Sequence, residues 1–205
     1  YWYYILCEAF GNVPIVDRFD VPEGFLPETS SREEVFAFIE NSIKNNVDKL
    51  SDDTKTYYGR FNKWNAKMLL ARLYLNAESW IGKNMYTECM ALCTEIMNSN
   101  KYALENDYSA PFYAQNEGSQ EIIFAYPADE VKTGSTIYMA LQKTLHPSNV
   151  KTFNLQTWLD NGVCAVPTFI DTYEEGDKRL PKTWRMGQQY GSDGSILYCT
   201  GLVPG

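Results

Sequence analysis

Apolar residues recur at helical spacing through the first half of the chain and lose that rhythm after Leu104. Val35, Phe36, Ile39, Ile43, Val47 and Leu50 predict an amphipathic helix over 32–50. It opens at Ser31-Arg32-Glu33-Glu34, a capping box in which Ser31 takes the Glu34 amide and Glu34 reaches back. Trp64, Ala66, Leu69, Leu70, Leu73 and Ala77 predict a second helix that stops near Gly82. Met85, Cys89, Leu92, Cys93, Ile96 and Met97 predict a third. The short polar link between the last two makes them an αα-hairpin of tetratricopeptide-repeat size, with Ala66, Ala71 and Ala91 allowing close approach. One such pair cannot bury both faces, so the helix from Arg32 must stack on it. An earlier helix, Tyr1 to Phe10, runs into Gly11-Asn12 as a C-cap, and Val13 to Val16 reads as extended.

Beyond Leu104 the pattern changes. Glu121 to Tyr126 reads as one strand. Pro127 to Asn161 is polar, dotted with aromatics and aperiodic, and long loops of this kind are either functional or mobile. Val163 to Tyr173 holds a short helix with Pro167 in its first turn, and the glycines from Gly187 onward predict a hairpin and loop. The expected class is mainly α, with tetratricopeptide-like repeats over 1–104 and an irregular, loop-rich ligand-binding part over 105–205. The opening Tyr1-Trp2-Tyr3-Tyr4 reads as a helix entered partway, which suggests a section of a longer chain.

Composition narrows the function. A net charge of -8 over 205 residues, without a Lys/Arg run, disfavours nucleic acid and anionic membrane surfaces. No stretch approaches the ~20 apolar residues of a membrane span. Five scattered cysteines do not form a disulfide framework, and Cys89 and Cys93, one turn apart, read as buried packing rather than metal ligands. The single histidine, His146, has no nucleophile motif to serve. The adjacent acidic pairs Glu33-Glu34, Asp52-Asp53, Asp129-Glu130 and Glu174-Glu175 read as solvated faces or caps rather than a glycosidase pair. Fifteen Tyr, ten Phe and five Trp are an unusual share; much of it must be core, yet Tyr and Trp, with a flat apolar face and a polar handle, also suit a surface that takes amphipathic ligands such as sugars.

Six stretches in order resemble the SusD/RagB family of nutrient-binding lipoproteins. Tyr3 to Leu6 followed by Phe10-Gly11-Asn12-Val13-Pro14-Ile15-Val16 is similar to the family's aromatic helix and GNVPIV segment. Ser31 to Ile39 is similar to its next helix start, Trp64 to Ala77 to its most recognisable helix, and Tyr86 to Leu104 to the partner helix. Phe112, Asn116, Glu121, Ile122 and Phe124 follow its next segment, and Asp177-Lys178-Arg179 stands at its D-x-R element. The resemblance implies a non-catalytic, lipid-anchored protein on the outer face of a Gram-negative outer membrane. Such a protein delivers glycan to a SusC-like TonB-dependent transporter, on which it sits as a hinged lid. The anchor itself is not in this chain. In starch-binding members an arc of aromatics holds sugar, and the matching region here offers Tyr138, His146, Phe153, Gln156 and Trp158. Rings would cover the apolar sugar face while amide and imidazole groups meet hydroxyls. Trp158 has a second reading, as a core anchor for the following helix; Trp184 reads as structural, and Trp2, Trp64 and Trp80 as core. No cofactor is expected, although calcium at Asp129 is conceivable. A peptide-binding or protein-interaction scaffold is the alternative function, with a glycosidase third.

Overall fold

The computed structural model describes residues 1–56, 58–127 and 139–197. The chain divides into two compact units, Tyr1–Tyr126 and Pro127–Gly205.

In the first unit, α1 (Trp2–Phe10) ends at Gly11, whose φ of 73° lies in the left-handed region that glycine enters without strain. A side chain there would also meet Arg32, because a Cβ would stand 3.0 Å from its Nε. The Arg32 guanidinium donates to the Cys7 carbonyl and lies over the Trp80 ring, tying the end of α1 to the next helix. Strand β1 (Val13–Pro14) pairs antiparallel with β2 (Thr29–Ser30), placing Val13 opposite Ser30. The Tyr3 hydroxyl accepts from the Val16 amide and donates to the Val16 carbonyl, so the chain after β1 is pinned back onto α1.

Helix α2 (Arg32–Lys44) begins with the capping box foreseen at Ser31 and Glu34. It stops at Lys44, short of the expected Leu50. The Asn46 amide donates to the Ser42 carbonyl, and such local side-chain bonds compete with helix propagation. A 3-10 turn at Val47–Lys49 carries the chain on.

Helix α3 (Lys63–Ile81) is the centre of the unit and packs on both α2 and α4 (Tyr86–Asn98), while α2 packs on α1. Its start is a second reciprocal cap. The Asn62 side chain accepts from the Trp64 and Asn65 amides, and Asn65 accepts from the Asn62 amide. Gly82 closes α3 in the left-handed conformation at φ 69°. Because neighbours flank it on two sides, α3 buries Leu69, Leu70, Ala71, Leu73, Tyr74 and Ala77 in one core with Tyr4, Cys7, Val35, Phe36 and Ile39. Lys67, also buried, pairs with Glu95 of α4, so its charge is not left alone in the interior.

The stretch Glu121–Tyr126 forms no strand, which corrects the sequence reading. Its polar groups go to side chains instead of a ladder. Asn65 donates to the Ile123 carbonyl, and the Glu121 carboxylate accepts from the Glu105 amide. Its rings join a cluster in which Phe124 lies 4.9 Å from Phe61 and 5.7 Å from Tyr1. These contacts place 105–126 with the helices, whereas the sequence reading divided the chain after Leu104.

The second unit consists of short pieces. Helix α5 (Met139–Thr144) leads through a 3-10 turn, Pro147–Asn149, into α6 (Val150–Phe153). The segment 160–163 then returns beside α5. The Asp160 and Val163 amides donate to the Gln142 and Lys143 carbonyls, and Lys143 pairs with Asp160. Helix α7 (Pro167–Ile170) has its proline in the first turn, as foreseen. The Asp177 carboxylate receives two N–H groups of the Arg179 guanidinium, at 3.0 and 2.6 Å, and the Arg179 amide. These bonds hold the Asp177 carboxyl below its ordinary range and set up α8 (Leu180–Thr183). Strands β3 (Gln189–Tyr190) and β4 (Ile196–Leu197) form the expected hairpin, closed by a turn with Gly194 at φ 81°.

Candidate functional site

Four of the five residues singled out from the sequence lie in the described part of the second unit; Tyr138 lies outside it, as does Asp129. Trp158 follows the αL residue Asn154 and the polar Gln156-Thr157, on the stretch that returns beside α5. Gln142 donates to the Thr157 hydroxyl, which ties this return to the end of α5. The indole of Trp158 is 57% exposed and lies under the Lys143 ammonium, 5.9 Å from the ring centroid. It is therefore a surface ring with one face engaged and no core role, which leaves its ligand reading standing. Gln156 is exposed, its side chain without a hydrogen bond among the described residues. Phe153 ends α6, is 43% exposed, and carries the Arg185 guanidinium 4.6 Å above its ring.

His146 is placed differently. Its Nδ1 accepts from the Ser148 amide at 3.2 Å and caps the turn that Pro147 begins. With Nδ1 an acceptor, the neutral ring carries its proton on Nε2, which is the nitrogen left for any ligand.

A pocket of about 430 Å³ opens in the same unit, lined by Thr152, Trp184, Arg185, Gln188, Gln189 and Tyr190 among others. The sequence reading missed it and took Trp184 as structural. Both descriptions fit that residue. Its indole N–H donates to the Tyr173 hydroxyl at 3.1 Å and its ring packs edge-on against Phe169, while the remaining surface faces the pocket. Gln189, buried, donates to the Met186 and Gly187 carbonyls and accepts from Asn149. Gln188 donates to the Gln189 and Leu197 carbonyls. Thr152 donates to the Tyr190 carbonyl, which locks α6 to β3. The available signal was the run Trp184-Arg185-Met186-Gly187-Gln188-Gln189-Tyr190, in which aromatic, guanidinium and amide groups crowd together.

The pocket offers flat rings, amides and one cation, Arg185, and the Trp158 ring carries a second, Lys143. Among the described residues no group of three or more His, Cys, Asp or Glu could hold a metal ion. Cys89 is buried and Cys93 half-buried on α4, and burial pushes the Cys89 thiol up, which suits packing rather than ligation.

No family model matches the chain. The starch-binding protein SusD of Bacteroides thetaiotaomicron is 30% identical over 146 residues, which are 68% of this chain and 25% of that protein. The chain belongs to the SusD-like family. Solved structures agree on the fold. A structure obtained with a xylogluco-oligosaccharide superposes at a TM-score of 0.72 with 23% identity, covering 96% of this chain and 42% of that one. Surface glycan-binding protein A of B. thetaiotaomicron in complex with laminarihexaose gives 0.67 with 19% identity, covering 98% and 45%. That of B. fluxus gives 0.68 with 20% identity, covering 99% and 43%. The chain thus spans a quarter of its SusD relative and under half of these structures. The mainly helical, tetratricopeptide-like SusD architecture expected from the sequence is the one observed.

Proposed function

We propose that the protein is a non-catalytic glycan-binding protein of the outer-membrane surface, which captures oligosaccharide or polysaccharide and passes it to a SusC-like TonB-dependent transporter. The observation that carries this reading is the 30% identity to a starch-binding SusD across two thirds of the chain. The second unit supports it, because Trp158 and Phe153 are held at the surface beside polar groups rather than folded inward. Large exposed rings cost solvation free energy that a sugar face can recover on binding. Delivery to a membrane partner draws on the first unit. There Trp2 of α1, Leu75 of α3, and Met90 and Met97 of α4 stand exposed on helices whose other faces are buried, as a docking surface requires. Attachment to the outer membrane would be through a lipid anchor, as the family resemblance implies; no helix among the described residues is long and apolar enough to cross a membrane.

Affinity electrophoresis against starch, laminarin, xyloglucan and acidic polysaccharides tests the reading, with Trp158→Ala and Tyr138→Ala run alongside. Retardation by at least one glycan, reduced in Trp158→Ala with folding intact, is the expected outcome. Absence of retardation across the panel would defeat the glycan reading and favour the peptide-binding or scaffold alternative.

A further inference from the structure

The pocket beside α6 contains a cation, Arg185, that no carboxylate neutralises among the described residues. Arg179, six residues earlier, is held by the Asp177 carboxylate. Arg185 is not so held; its guanidinium carbon stands 4.6 Å from the centroid of the Phe153 ring, and no carboxylate partners it among the described residues. A ring contact of this kind uses none of the guanidinium's N–H groups in a charged pair, and that fork of donors can receive a carboxylate or sulfate two-pronged. The walls around it are set in advance. Trp184 is fixed by Tyr173 and Phe169, and Gln189 is buried with its amide committed to backbone carbonyls. A preorganised wall loses little entropy when a ligand seats.

The charge distribution favours the same occupant. The first unit holds eleven Lys/Arg against eighteen Asp/Glu, a net of -7, and the second holds seven against eight, a net of -1. An anion approaching the pocket thus meets a nearly neutral body and the Arg185 guanidinium, which has no carboxylate partner among the described residues, although the chain as a whole is acidic.

We infer that this pocket is a subsite for an acidic sugar, with Trp184 and Tyr190 against the ring and Arg185 on the anionic group. The inference rests on the glycan-binding reading and names the ligand class for one site. A uronate carboxylate and a sulfate ester share the chemistry Arg185 recognises, and the test separates them.

Isothermal titration calorimetry on the full chain is run with trigalacturonate, its neutral methyl ester, a glucuronate oligomer, a sulfated chondroitin tetrasaccharide and maltohexaose. Wild type is compared with Arg185→Gln and Arg185→Lys. The expected result is binding of an acidic oligosaccharide that weakens roughly tenfold or more in Arg185→Gln and less in Arg185→Lys. It also weakens as salt rises. A uronate ligand is shown by binding of the acid and loss in its methyl ester, a sulfate ester by binding of the chondroitin oligomer alone. Circular dichroism and exchange protection of the hairpin amides check that the variants fold. Binding of maltohexaose only, unchanged in Arg185→Gln, would overturn the acidic subsite and leave the glycan reading intact. Acidic binding that Arg185→Gln leaves untouched while Trp158→Ala abolishes it would overturn the pocket assignment. Binding of none of the five would overturn the acidic subsite, while the glycan reading would still be decided by the electrophoresis panel with laminarin and xyloglucan.

Discussion

The two units reach order by different means. Among the described residues, sixteen hydrophobic side chains are buried in Tyr1–Tyr126, and in the second unit only Leu159 and Leu197 are. The first unit is stabilised mainly by removing apolar surface from water, in a continuous core around α3. The second is held by directional bonds from side chains to backbone: Thr152 to Tyr190, Gln189 to Met186 and Gly187, Asp177 to Arg179. A unit built that way does not need its aromatic rings inside. Phe153, Trp158, Phe169 and Tyr190 therefore stay at the surface, where a ligand can reach them. The comparison separates a unit built on packing from one that leaves its rings exposed, which is the feature the proposed glycan binding draws on.

The largest expected effect tests the first half of the contrast. Leu73 is fully buried at the centre of α3, and Leu73→Ala should cost about 3 kcal/mol through lost transfer free energy and the cavity left behind. Trp158→Ala, on the polar unit, should change stability by no more than about 0.5 kcal/mol. Urea denaturation of both variants measures the difference, and equal losses would mean that Trp158 has a packing role its exposure does not suggest. The next effect belongs to the second unit. Gln189→Ala removes two bonds to backbone carbonyls and the bond it accepts from the Asn149 amide, which keeps only its bond to Thr152. A local loss of about 2 kcal/mol should follow, read as faster hydrogen exchange at the β3–β4 amides. Unchanged protection there would show that the hairpin is held by apolar contact after all.

The same contrast explains what the sequence made legible. The capping box at Ser31, the left-handed Gly11, the α3–α4 pair and the burial of Trp64 follow from local rules acting over several turns, and the structure shows each. The second unit's helices α5, α6 and α8 run four to six residues, too short for any hydrophobic period to register. The pocket depends on Gln189 and Asn149 meeting across forty residues, which no local pattern encodes. Glu121–Tyr126 had the composition of a strand, yet its groups are taken by Asn65 and Glu105 rather than a neighbour. Trp2 lies on a helical pattern but is exposed, because α1 buries the face that carries Tyr4 and Cys7.

A smaller effect probes whether helix caps matter as much as the core in the first unit. The Asn62 side chain takes two amides at the start of α3 while itself buried, so Asn62→Ala should cost about 1–2 kcal/mol. Asn62→Asp, which keeps the accepting oxygen, should recover part of that in thermal melts. A silent Asn62→Ala would show that packing alone fixes where α3 begins.

The smallest effect is a pH dependence located where α2 meets α3. Burial opposes ionisation of Glu40, but the bonds donated by Lys44 and by the Tyr74 hydroxyl outweigh it and hold the carboxyl below its ordinary range. Its contribution is thus present above the ordinary carboxylate value and is lost as pH falls through the lower folded value. Burial and the bond to Glu40 push Tyr74 the other way, up to about 12. That contribution is intact below the ordinary tyrosine range and disappears as pH climbs toward about 12. Glu40→Gln should flatten the acid limb of the stability profile and reduce the alkaline shift of Tyr74, measured by denaturant midpoints across pH and by tyrosinate absorbance. If Glu40→Gln leaves both limbs unchanged, the two side chains titrate independently, and the polar bond between α2 and α3 adds nothing to the apolar packing around it.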